Sequence, residues 1–130
     1  MSDPTRSGAV IFAKQLAPMA RFYETLLGLR VVTAEADHVV LESAALQLVI
    51  HAIPKHITET FTISSPPEVR EEAAIKLFFP VARIDAARAA APGLGGRLWP
   101  KEREWVARGF RACDAVDPEG NVLQVRELAA

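Results

Sequence analysis

A tight turn emptying into an apolar strand, Asp117-Pro118-Glu119-Gly120-Asn121 followed by Val122-Leu123-Gln124-Val125, constrains this chain more than any other segment. Proline fixes φ at the second turn position, and Gly120 and Asn121 tolerate positive φ, so the chain reverses here and continues as an alternating strand. Gln124 is then a lone hydrogen-bonding side chain among aliphatic neighbours. It points away from Leu123 and Val125, and shares its face with Val122 and Arg126.

The 130 residues suit one ordinary domain with a core of its own. Fifteen basic against 16 acidic side chains leave no electrostatic commitment, so neither nucleic acid nor an anionic membrane is expected as a partner. Cys113, the only cysteine, excludes an internal disulfide and a cysteine-rich zinc site. Cytoplasmic residence is the expectation, because Met1 to Gly8 is polar and lacks the apolar stretch of a signal peptide. Apolar runs such as Ala44 to Ile50 are too short to span a bilayer.

Along the chain, Ala9 to Ala13 reads as a buried strand and Pro18 to Leu27 as a helix, with Met19, Phe22, Tyr23, Leu26 and Leu27 at helical spacing and Gly28 as the stop. Leu29 to Thr33, Val39 to Glu42 and Leu46 to His51 read as three strands. The second half repeats the order, with a strand over Ile75 to Val81 and a helix over Ile84 to Ala91. Strands near Arg97 to Trp99, around Phe110 to Asp114 and at Val122 to Glu127 complete it. The expectation is a single α+β domain of two β-α-β-β-β modules, about 8–53 and 74–128. Pro54 to Glu72 joins them as an irregular connector.

Two stretches carry a family resemblance. Phe22-Tyr23-Glu24-Thr25-Leu26-Leu27-Gly28-Leu29 resembles the first helix and its exit in the glyoxalase/bleomycin-resistance/dioxygenase (vicinal oxygen chelate) superfamily, and Asp117 to Glu127 resembles its last strand. The resemblance implies an open cup of curved sheets with helices outside, and a homodimer. In metal-dependent members four strand positions hold ligands, which here correspond to Gly8, Gln47, Lys76 and Gln124. Glycine has no side chain, two glutamines are neutral, and an ammonium repels a cation, so no metal cofactor is expected there. A divalent metal is the alternative if the strand register differs.

Strand alternation places Val10, Phe12, Gln47, Val49, His51, Lys76 and Phe78 on the same inner surface as Gln124. Such a mixture of apolar floor and few polar groups suits a small-molecule ligand. Lys76 is expected to bond the carbonyls of Gln47 and Gln124 and to receive an anionic group of the ligand. Trp99 and Trp105 are either sheet caps or aromatic walls of that site. His51 is the candidate catalytic base; His38 reads as a turn residue, His56 as a loop residue, and Glu102 and Glu104 as solvated acids. Cys113 as a nucleophile needs a nearby base, and the inward face of its strand stays open. Two functions follow: a metal-free small-molecule-binding protein of the bleomycin-resistance kind, or an enzyme of the superfamily, whether metal-dependent lyase, isomerase or dioxygenase, or metal-free proton transferase.

Overall fold

A computed structural model describes residues 3–129, which form two compact units, one ending at Thr62 and the other starting at Ile63. The first runs β1 (Gly8–Ala13), α1 (Leu16–Leu27), β2 (Arg30–Ala34), β3 (His38–Glu42), β4 (Gln47–Ala52) and a short α2 (Lys55–Thr58). Its sheet has the order β1-β4-β3-β2, with β1 parallel to β4 and the other pairs antiparallel. The second runs β5 (Phe78–Pro80), α3 (Ile84–Ala90), β6 (Arg97–Leu98), β7 (Trp105–Ala107), β8 (Phe110–Val116) and β9 (Val122–Leu128). There the order is β5-β9-β8-β6, with β7 also on β8 and β5 parallel to β9. The α+β class and the repeated β-α-β-β-β order are therefore present, the second copy carrying one extra strand. No helix among the described residues is long and apolar enough to cross a membrane.

The core of the first unit follows from helical spacing. Met19, Phe22 and Tyr23 on α1 are buried, with Phe22 and Tyr23 edge to face at 5.2 Å, and α1 packs on β3 and β4, where Leu41, Leu48 and Ile50 are fully buried. Gly28 ends the helix at φ 65°, its N–H reaching Glu24 O. Pro18 lies in the first turn, where its missing N–H costs nothing, so the helix starts two residues before it. On β1, Gly8 is a packing necessity, because a Cβ there would stand 1.9 Å from Gln47 O.

The core of the second unit includes Phe79, Ile84, Ala87, Cys113, Leu123 and Val125. Its helix α3 has no side-chain cap of its own; Glu127 Oε1 on β9 accepts the Ile84 N–H at 2.7 Å instead. The strand expected over Ile75 to Val81 is shorter, since residues before Phe78 leave the ladder and only Leu77 O still accepts a bond, from Gln124 N–H. The strand β7 was not expected, because all three of its residues are exposed and show no burial alternation.

The turn before β9 is built around buried Asp117. Its Oδ1 accepts the N–H groups of Glu119 and Asn121 at 2.9 and 3.0 Å, and its Oδ2 accepts Asn121 Nδ2 at 2.8 Å. Of the two residues expected to tolerate positive φ, only Gly120 uses it, at 93°. A Cβ on Gly120 would lie 2.1 Å from Glu68 O, and Arg70 N–H bonds Gly120 O at 2.9 Å. The far end of the connector is thus fastened to this turn.

Candidate functional site

In the first unit, Gly8, Val10 and Phe12 stand level with Gln47, Val49 and His51, on the face opposite α1. The Gln47 side chain is engaged by a carboxylate of its own sheet. Its Nε2 donates to Glu42 Oε2 at 2.8 Å, and the buried Glu42 carboxylate also meets Arg6 at 3.3 Å and Arg30 at 3.5 Å. A buried carboxylate needs such donors, which explains why the amide turns this way. Glu42 was missed in the sequence because it closes a strand read only for its aliphatic residues. His51 stands between Phe12 and His38, ring centroids 5.9 Å away on both sides, and His38 belongs to β3 and not to a turn. His56 lies exposed on α2.

In the second unit, Phe78, Gln124 and Asp114 stand level across β5, β9 and β8. Arg126 places its guanidinium 3.5 Å from the Phe78 ring centroid and 4.2 Å from that of Phe110, and donates through Nε to Gln124 Oε1 at 2.5 Å. Lys76 lies two residues before β5, and its ammonium bonds Asp114 Oδ2 at 2.9 Å rather than a glutamine carbonyl. A carboxylate compensates the charge as well as accepting the proton, so it outcompetes an amide. Asp114, whose face alternation had left open, is the residue that organises this surface.

Asp114, Lys76, Trp99, Arg103, Arg70 and Val122 line a pocket of about 210 Å³ within this unit, closed on one side by residues Val69 to Ile75. The Trp99 ring carries Arg97 at 4.8 Å and Arg103 at 5.3 Å. Asp114 Oδ1 is buried with no hydrogen-bond partner, which distinguishes it among the described residues. Trp105 does not line this pocket; it sits on β7 opposite Ala112. Arg70 and Arg103 escaped sequence reading, although Gly120 in the turn was a signal that another backbone approaches there.

Behind the sheet, on the α3 side, Arg88 donates to Glu104, to Asp85 Oδ1 at 3.0 Å and to Trp99 O at 3.1 Å, and lies 3.6 Å from Cys113 Sγ. Burial pulls the Arg88 guanidinium down, but its bonds to Glu104 and Cys113 win and hold it above its ordinary range. The Glu104 side chain is 2% exposed, so it is not a solvated loop acid; Arg111 also approaches it, at 3.6 Å. Burial raises the Cys113 thiol above its usual range despite Arg88, and no histidine is bonded to it, which is the wrong setting for a nucleophile.

The positions that hold metal in family members do not fit one here. Gly8 has no room for a side chain, the neutral Gln47 and Gln124 amides already bond Glu42 and Arg126, and the register that sets Gly8 beside Gln47 sets Phe78, not the expected Lys76, beside Gln124.

A family model for the glyoxalase-like domain matches residues 8–126. Among solved structures, a glyoxalase/bleomycin resistance protein/dioxygenase family enzyme from Burkholderia phytofirmans PsJN superposes with a TM-score of 0.68 at 17% identity, covering 95% of this chain and 98% of that one. A glyoxalase/bleomycin resistance protein from Albidiferax ferrireducens T118 gives 0.65 at 21% identity, over 95% and 98% of the two chains. The fosfomycin resistance protein FosX from Mesorhizobium loti gives 0.64 at 14% identity, over 99% and 95%. No curated protein matches the sequence.

Proposed function

The chain belongs to the glyoxalase-like domain family of the vicinal oxygen chelate superfamily, and from that premise we propose that its second module binds a small organic acid without a metal. Asp114 carries the reading. One of its oxygens neutralises Lys76, and the other is buried without a donor in the wall of a pocket where Arg70 and Arg103 outnumber the one further acid, Glu71. Leaving such an acceptor unpaired costs about 1–3 kcal/mol. An acid group competing for Lys76 releases Asp114 to turn its carboxylate onto a hydroxyl or amino hydrogen of the same ligand. Val69, Ile75 and Val122 offer apolar surface for the rest of the molecule.

The test is a thermal-shift comparison of hydroxy acids and their deoxy counterparts on the unaltered protein and on Lys76→Met. At a ligand concentration a hundredfold above Kd, stabilisation is about 2.7 kcal/mol, roughly a 10 °C rise. The hydroxy acid should give the larger shift, and Lys76→Met should lose most of both. Equal shifts for the two proteins would refute the site.

The same reading includes a homodimer in the cytoplasm. Exposed Val106 on β7 supports the former, and a single free thiol is compatible with the latter. Light scattering that finds only the monomer mass at micromolar concentration would contradict the dimer.

A further inference from the structure

The first unit carries a second cluster that the organic-acid site does not use. Strands β3 and β4 form a hairpin whose register sets His38 directly across from His51, and their rings stack at 5.9 Å with 9° between planes. Asp37, the residue before β3, joins them: its Oδ1 lies 2.7 Å from His38 Nδ1 and its Oδ2 lies 3.9 Å from His51 Nε2. One ligand atom from each of the three side chains falls within 4.8 Å of the others. We propose that Asp37, His38 and His51 form a surface site for a borderline divalent transition ion, with zinc as its simplest occupant.

The groups that these three side chains touch support this chemistry. His51 Nδ1 lies 2.9 Å from Ala52 O and, as donor to that carbonyl, leaves its lone pair on Nε2, the atom that faces Asp37. Asp37 is itself held in place, because Ala52 N–H bonds its backbone oxygen at 2.7 Å. The Phe12 ring, 5.9 Å from His51 on its other side, limits the ring's freedom. Zinc–nitrogen and zinc–oxygen bonds of about 2.0–2.2 Å require neighbouring ligand atoms roughly 3.3 Å apart. Ligand atoms that now lie as much as 4.8 Å apart must close by up to about 1.5 Å to meet that spacing, and the His38–Asp37 contact must open so that His38 Nδ1 can turn its lone pair to the ion. All three side chains are partly exposed, so water can fill the remaining coordination positions.

This site is separate from the positions that family members use. His51 lies four residues beyond Gln47 on β4, about 13 Å along the strand. Two imidazoles and one carboxylate favour zinc, copper or nickel over magnesium, whose ligands are oxygens.

Untagged full-length protein, stripped with chelator, should bind one equivalent of zinc in a calorimetric titration with micromolar affinity. His38→Gln and His51→Gln should each weaken binding at least tenfold, while His56→Gln, an exposed histidine on α2, should leave it unchanged. Circular dichroism of each variant confirms folding. Binding that survives both His38→Gln and His51→Gln, that magnesium matches in affinity, or that is missing from the unaltered protein would overturn the proposal. These outcomes are independent of the Lys76→Met result, which concerns the other unit.

Discussion

The two modules solve the same edge differently. In the first, β2 runs continuously along β3 and absorbs an irregularity as a register shift between Val31 and Thr33. In the second, the corresponding edge of β8 is shared by two short strands, β6 and β7, with a helical turn at Lys101–Arg103 between them. A bulge only re-aims a strand, whereas a break releases a segment from the ladder. The released segment supplies Trp99 and Arg103 to the pocket and sends Glu104 back beneath the sheet to Arg88. The cores differ accordingly: Phe22 and Tyr23 pack under the first sheet, whereas the aliphatic core of the second has the Arg88–Glu104 ion pair beside it.

The largest expected effects separate these cores. Phe22→Ala should cost about 3–5 kcal/mol in denaturant unfolding, since it leaves a cavity beneath β3 and β4. Glu104→Ala removes the buried partner of Arg88 and leaves it the more exposed Asp85 carboxylate. Removing one partner of a fully buried pair costs about 3–5 kcal/mol, but Arg88 is 23% exposed and water screens it, so about 2–3 kcal/mol is expected here. A loss below about 0.5 kcal/mol would mean that the ion pair does not hold the broken edge in place.

A smaller effect tests the protonation of the second core. Because burial raises the Cys113 thiol in the folded protein, the native state keeps that proton longer than the unfolded chain does. This contribution to stability is complete below the ordinary thiol range and fades as pH climbs towards the folded value. Cys113 should therefore resist alkylation at neutral pH until the protein is unfolded. Stoichiometric labelling of the native protein within minutes would contradict the burial assigned to it.

Much of the fold was legible because its signals are local. Apolar spacing on Met19 to Leu27, the Gly28 stop and the Asp117 turn each act over a few residues, and α1, β4 and β9 lie close to where those signals put them. The polar partnerships were less legible, since they depend on register between strands. Reading Lys76 into a long β5 set its ammonium among amides, whereas the strand begins at Phe78 and Asp114 accepts the charge. His38 and His51 are mirror positions about the turn at residues 43–46, so centring that hairpin would have paired them. Glu104 had no such signal: a charged run after proline reads as solvated until the strand it returns to is known.

Chemical-shift mapping tests the central claim most directly, namely that the broken edge of the second module made a binding site that the first module lacks. Titration with a small hydroxy acid should move the backbone amides of Arg70, Lys76, Trp99, Arg103 and Asp114 most, with changes saturating together at a single Kd. Shifts centred instead on Phe12, Val49 and His51, with the Asp114 surroundings unmoved, would contradict it.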